Sequence, residues 1–187
     1  MKKLSTFITE EKNLHMEHLE DLVLNDGVEG AHQIFRFLNA TRDMLGGHTK
    51  TRMSATVKWD GAPAIFAGVD PSDGKFFVAK KGIFNKNPKI YKTQADINAD
   101  LSGDLADKFT VALREFKKLG IKSGVFQGDL MFTKADIKTE TIDETKFYTF
   151  QPNTIVYAVP VNSSLGLKIK AASIGIVWHT TYEGDSF

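Results

Sequence analysis

The sequence predicts an α+β domain of mostly antiparallel sheets with flanking helices and an N-terminal helical segment. Three observations carry this. Apolar residues recur at helical spacing over residues 9–45, two-residue alternation broken by turn residues follows Gly46-Gly47, and one more long helical pattern interrupts the strands at residues 102–119. Helices and strands do not alternate strictly, which favours hairpins over a parallel βαβ sheet. The implied organisation is a helical segment, 1–47, packed on a core, 48–187, that is one folding unit.

From Thr9 to Leu24 the apolar positions Leu14, Leu19, Leu22 and Val23 predict a first helix. Asp26 and Glu29 resemble a capping box ahead of a second, in which Val28, Ala31, Ile34, Phe35, Leu38 and Leu45 share a face until Gly46-Gly47 stops it. Met53, Ala55 and Val57 then alternate with Ser54, Thr56 and Lys58, a strand pattern that leaves Lys58 on the polar side near its end. Asp60-Gly61 marks a turn, residues 62–67 a returning strand, Pro71-Ser72-Asp73-Gly74 a second turn and residues 75–79 a third strand. Gly82 to Tyr91 reads as a loop. Ser102 is placed as N-cap of a helix through Leu105, Phe109, Ala112, Leu113, Phe116 and Leu119, closed by Gly120. Further strands are expected at 124–132, 147–150, 154–159 and 174–179, with Leu167-Lys168-Ile169-Lys170 as an edge strand whose lysines point outward.

A chain of 187 residues that is 42% hydrophobic and 25% charged can bury a substantial core, which excludes a disordered or fibrous class. The absence of cysteine excludes disulfides, thiolate zinc sites, iron–sulfur clusters and a cysteine nucleophile, and fits a cytoplasmic protein. No signal-peptide core and no apolar run of membrane-spanning length is present. With 24 basic against 23 acidic residues, any attraction to nucleic acid has to be local. Lys75, Lys80, Lys81, Lys86, Lys89 and Lys92 supply such a stretch, with only apolar and neutral residues between them. His15 and His18, near Glu11 and Glu20, read as a solvated helix face, and no metal is assigned there.

A protonated lysine is a poor nucleophile and becomes a good one when desolvation or neighbouring cations lower its pKa. Lys58 has Trp59 beside it and Lys80 and Lys81 on what should be a nearby strand, Asp60 can orient an amine or a metal-bound phosphate, and Gly61 allows close backbone approach. These parts suit attack on a phosphoanhydride. A solvent-facing lysine ahead of an ordinary Asp-Gly hairpin accounts for the same four residues.

Lys58-Trp59-Asp60-Gly61 resembles the Lys-x-Asp-Gly signature of the covalent nucleotidyltransferases: ATP-dependent DNA ligases, RNA ligases and mRNA capping enzymes. Ala79-Lys80-Lys81-Gly82 is similar to that family's Ser-Arg-x-Gly element, and Phe126-Gln127-Gly128-Asp129-Leu130 to its apolar-x-Gly-Glu-apolar strand, with Asp129 for the glutamate. The resemblance covers residues 53–179 and includes bacteriophage proteins with a ligase-like core. Two departures mark its later part. Ile174 stands where the family's Glu-Gly-apolar-Val strand has its glutamate, and Leu167-Lys168-Ile169-Lys170, which looks like the final apolar-Lys-apolar-Lys strand, comes before that strand instead of after it.

The resemblance implies a ligase adenylation-domain-like core, without the oligonucleotide-binding barrel that many relatives carry. It implies Lys58 as the catalytic nucleophile, attacking the α-phosphate of ATP with Mg²⁺ or Mn²⁺ assistance to form lysyl-AMP for transfer to a nucleic acid 5′-phosphate. Asp60, Gly61, Lys80, Lys81, Lys168 and Lys170 would bind nucleotide, Asp129 the ribose or a metal, and Phe84 or Phe126 would stack on the base. Two other classes stay open: a catalytically degenerate nucleotide- or nucleic-acid-binding module, and a phage structural or assembly protein.

Overall fold

The computed structural model describes residues 18–48 and 57–184. Its contacts divide the chain between Lys58 and Trp59, so the Lys-Trp-Asp-Gly string straddles two compact units.

The first unit is built on α1, Leu19–Leu45, whose backbone leaves helical geometry at Gly27 (φ 57°, ψ −127°). The break falls beside Asp26, where the sequence starts a second helix. Gly30 sits close to the preceding turn across that break, since a Cβ there would lie 1.9 Å from the Leu22 carbonyl oxygen. The part of the expected first helix before His18, and the expected strand residues 53–56, lie outside the described residues. Val57 and Lys58 are exposed and outside regular structure.

The second unit runs β1 (Ala64–Val69), β2 (Phe76–Ala79), α2 (Gln94–Asp100), α3 (Gly103–Phe116), β3 (Val125–Thr133), β4 (Lys138–Ile142), β5 (Thr145–Phe150), β6 (Tyr157–Pro160), α4 (Ser164–Ala171) and β7 (Ile174–Tyr182). A four-stranded sheet has the order β2-β1-β3-β7 and a three-stranded sheet the order β4-β5-β6. Every pairing is antiparallel. The unit is thus α+β, as the sequence predicts. Among the described residues no helix is long and apolar enough to cross a membrane.

Alternation divides the larger sheet into two faces. One face sends Ile65, Ala67, Val78 and Leu130 against Ile97, Leu101, Phe109, Ala112 and Phe116 of α2, its C-terminal cap and α3. The other carries two apolar patches. Phe66, Phe77, Ala79 and Val125 pack with Ile83, and Met131 and Phe132 pack with Phe150, Tyr157, Val159 and Ile169, which joins the two sheets. Each fully buried Phe or Leu contributes about 1.5–3 kcal/mol relative to leaving it in water.

Local signals explain most elements. Phe109, Ala112 and Phe116 recur on one face of α3, and the chain stops at Gly120 in the left-handed region (φ 68°). α2, absent from the sequence expectation, is seven residues long and is started by a reciprocal cap. Asp96 N donates to Thr93 Oγ1 at 3.2 Å and Thr93 N to the Asp96 carboxylate at 2.8 Å. β4 and its hairpin were hidden too, because the turn uses Asp143 and Glu144 at positive φ (45° and 63°) with no glycine to announce it.

One expectation is overturned. Leu167-Lys168-Ile169-Lys170 is part of helix α4, not an edge strand. Leu165, Leu167 and Ile169 mimic a two-residue period, but Ser163 caps the segment, its Oγ accepting from Gly166 N at 2.9 Å, and Gly166 and Ile169, three apart, are the buried pair. A Cβ at position 166 would lie 2.2 Å from the Pro160 carbonyl oxygen, so the glycine lets α4 rest on the end of β6.

Candidate functional site

Asp60 and Gly61 lie outside regular structure, with the bend at Ala62-Pro63 rather than at the Asp-Gly pair, and the segment is held from both sides. Trp59 stacks on Tyr157 (ring centroids 5.0 Å apart), which stacks on Phe150 (5.5 Å). Asp60 N–H donates to Tyr157 Oη at 2.8 Å, and the Tyr157 hydroxyl lies 3.1 Å from the Asp60 carbonyl oxygen, which accepts from it. Asn153 Nδ2 donates to that carbonyl at 3.2 Å and to Asp60 Oδ2 at 3.1 Å. Gly61 lies so near β3 that a Cβ would come within 2.4 Å of the Leu130 carbonyl oxygen. No side chain fits there.

The chain then enters β1 directly, through a cis Ala62–Pro63 peptide bond, with Leu130 N donating to the Pro63 carbonyl at 3.0 Å. Ala64 pairs with Asp129, and Phe66 pairs with Gln127 on one side and Ala79 on the other. Asp129 thus lies opposite Ala64, two residues along the sheet from the level where Ala79 ends β2, with Gly61 against Leu130 beside it. By alternation Asp129 and Gln127 share the face that carries the two apolar patches. His179 joins them as the extra residue of a β-bulge, since Gly128 pairs with Trp178 and Gln127 with Thr180. Its Nε2 lies 3.5 Å from Asp129 Oδ1 and its Nδ1 2.9 Å from Thr180 Oγ1. Tyr182 donates its hydroxyl proton to Gln127, and its ring meets Phe66 and Phe84. A polar row of Gln127, Asp129 and His179 thus runs between two aromatic groups, Phe66–Phe84–Tyr182 and Trp59–Tyr157–Phe150.

The lysine stretch behaves differently. Lys80 lies two residues beyond Val78 and leaves the sheet on the helix side, where Nζ is 3.0 Å from Asp100 Oδ2. Lys89 is bonded to the same carboxylate, and Tyr91 donates to it at 2.7 Å. These contacts, Lys89 first, then Tyr91 and Lys80, hold the Asp100 carboxyl well below the usual carboxylate range. Burial, reinforced by the Asp100 charge, pushes the Tyr91 phenol up. Lys92 lies 2.6 Å from Asp70 and 2.9 Å from Asp73, which raise its pKa, and Lys75 is 3.6 Å from Asp73. Four of the six lysines are therefore ion-paired to acids from neighbouring segments. Lys81 and Lys86 are exposed and have no ion-pair partner among the described residues.

Lys168 and Lys170 are exposed on α4. Lys168 borders a groove of about 590 Å³ shared by Trp59, Phe132, Phe150, Ile174 and Trp178, and the Lys170 carbonyl accepts from Lys134 Nζ. Phe84 is half-exposed at its aromatic group, whereas Phe126 meets Trp178 on the helix side of the sheet. Ile174 packs against the helix-side core. Among the described residues no group of three or more His, Asp or Glu side chains converges as a metal site, and Asp129 has His179 alone beside it. A magnesium ion that takes one carboxylate and fills its remaining positions with nucleotide phosphates and water is compatible with that donor set.

Sequence reasoning passed over Asn153 and Tyr157, which lie 93 and 97 residues from Asp60. No local pattern announces them.

A family model described as a family of unknown function (DUF6267) matches residues 13–187. No curated protein matches the chain, and no solved structure does.

Proposed function

Because the chain belongs to that family of unknown function, its activity is read from its own residues, and we propose that it is a nucleotidyltransferase of the covalent lysine type, resembling ATP-dependent polynucleotide ligases. The supporting observation is that Gly61 lies against Leu130, that Asp129 is opposite Ala64, and that the end of β2 at Ala79 is two residues along the same antiparallel sheet. Elements separated by some 70 residues in the chain are neighbours there, in the order that the resemblance implies.

In this reading the deprotonated amine of Lys58 attacks the α-phosphorus of ATP in line, an N–P bond forms, the bond to the β-phosphate oxygen breaks and pyrophosphate leaves. A nucleic acid 5′-phosphate then displaces the lysine and takes the AMP. Asp129 is the protein carboxylate that would hold a Mg²⁺ ion, which when bound would supply neutralisation of the triphosphate charge. The half-exposed Phe84 group offers an apolar surface for a base. Lys81 reaches phosphate without giving up a partner, whereas Lys80 has to exchange Asp100 for it. The reading places the protein in a cytoplasm, that of the host if it is viral.

Purified protein incubated with radiolabelled ATP and Mg²⁺ should become covalently labelled, Lys58→Ala should not, and Asp129→Asn should label more slowly. Absence of label with all four nucleotides in verified folded protein would sink the proposal. A second reading, a binding module that has lost its chemistry, is favoured by one observation: the position where the resemblance requires a glutamate is the half-buried Ile174, packed against the helix-side apolar core. It predicts salt-sensitive polyanion binding without an adduct.

A further inference from the structure

We infer that the outer edge of β7 over residues 174–178 is a docking site for an extended peptide of a partner protein, an apolar run flanked by a carboxylate. The inference stands apart from the nucleotidyltransferase reading. β7 ends the order β2-β1-β3-β7, and among the described residues only β3 pairs with it. Leu130 N donates to Pro63 on the β1 side, so Leu130 turns its polar backbone groups away from β7. Its partner Ile176 likewise turns its N–H and C=O away from β3, toward the outer edge. Alternation gives Ile174 and Trp178 the same orientation.

Open edges invite strand pairing, and the other edges of this unit are guarded against it. β2 is bridged by Tyr91, which exchanges two backbone hydrogen bonds with Val78. β4 carries Lys138 and Glu140, and the short β6 ends in Pro160. Ile174-Gly175-Ile176-Val177-Trp178 has neither charge nor proline, and all five residues line the groove of about 590 Å³. Consecutive residues of a strand point to opposite faces, so a groove that they all line follows the strand's edge. Its walls agree: Phe116 and Leu119 stand on the helix side, Trp59, Phe150 and Ile169 on the other.

A strand added there is covered on both faces, which calls for a continuous apolar run of about five residues, ~17 Å long. Walls on both sides leave room for one extended segment rather than for the sheet of a second copy. Charge narrows the occupant further. Glu115 in the groove is bonded to Arg114 and Lys118, whereas Lys168 at the rim has no ion-pair partner among the described residues. The uncompensated charge is positive and favours a carboxylate beside the apolar run.

The probe is a fluorescein-labelled hexapeptide, four valines between two aspartates, titrated with the full chain and followed by anisotropy. Saturable binding is expected. The same peptide N-methylated at its four valines keeps the apolar side chains and loses the backbone donors, and should bind at least about tenfold more weakly. Lys168→Glu, a change on an exposed helix face, should weaken the aspartate peptide by up to about fivefold and strengthen a version with lysines in place of the aspartates. Opposite effects on two peptides cannot come from misfolding. Leu119→Glu, at a residue 59% exposed, puts a charge into the helix-side wall and should weaken both.

Amide hydrogen exchange locates the contact. The Ile176 amide should exchange fast in the peptide-free protein and at least about tenfold more slowly at saturation with the aspartate peptide. Absence of saturable binding, equal affinity for the N-methylated peptide, or binding without protection of Ile176 overturns the inference. Slow exchange of Ile176 before peptide is added overturns it as well, because the edge is then already filled, by the chain itself in a monomer or by a second copy in a dimer.

Discussion

The Asp-Gly turn and the lysine stretch look like two halves of one site in the sequence, yet the structure treats them in opposite ways. Asp60 is fixed by bonds to Asn153 and Tyr157, and nearby β3 presents Asp129 on the face between the aromatic groups. The stretch follows the end of β2, two residues along the same sheet, but Lys80 departs on the other face and four of its lysines are spent on Asp70, Asp73 and Asp100. Register brings residues to one level of a sheet, and the parity of each strand decides which side they serve. A basic run in a sequence is a basic surface only where no acid from elsewhere answers it.

The harshest test of the contrast is at Gly61. Gly61→Ala forces a methyl against the Leu130 carbonyl, and the turn must move off β3. A loss of about 2–3 kcal/mol is expected in denaturant unfolding, together with loss of any labelling. A stable Gly61→Ala protein would mean that the turn is not held as tightly as its geometry implies.

The lysine half is sharpened by releasing it. Asp100→Asn frees Lys80 and Lys89, which adds cations that a polyanion can use. Single-stranded DNA should bind more tightly at low salt, with the log–log salt slope steeper by up to about 1.4, two contacts at ~0.7 each. An unchanged slope would show that these lysines lie outside any nucleic-acid path. In the wild type, Lys81→Ala with Lys86→Ala should weaken binding more than Lys75→Ala with Lys92→Ala, because the second pair is already neutralised.

The smallest expected effect is on acid stability. Asp100 has a folded pKa below its unfolded value of ~3.9, so the native state binds fewer protons in between. Its stabilisation is fully present above that unfolded value and is lost as pH falls through the folded one. Asp70, lowered by Lys92 and Ser72 against the cost of burial, acts in the same direction. Thermal midpoints should be flat near neutrality and fall below about pH 4, and Asp100→Asn should fall less steeply than the wild type.

The sequence by itself determined the elements whose signals are local. α3 was legible from Phe109, Ala112 and Phe116 with Gly120 as its stop, and the Pro71–Gly74 turn separates β1 from β2, whereas the turn expected at Asp60-Gly61 is instead a bend at Ala62-Pro63 before β1. Motif order placed the Asp129 strand after Asp60-Gly61 in the chain, and the structure pairs β1, which follows Asp60-Gly61, with it. Local signals also misled, as in α4, where two-residue spacing of Leu165, Leu167 and Ile169 imitates a strand until the Ser163 cap and the contact of Gly166 with Pro160 decide for a helix. Tertiary structure alone decided the rest. Which lysines keep a free charge depends on carboxylates up to some 20 residues away in the chain. The clamp on Asp60 depends on Asn153 and Tyr157, brought there by the packing of one sheet on another. Hydrophobic spacing is a property of neighbours in the chain, whereas ion pairing and hydrogen bonding are properties of neighbours in space, and only folding converts the first kind of neighbour into the second.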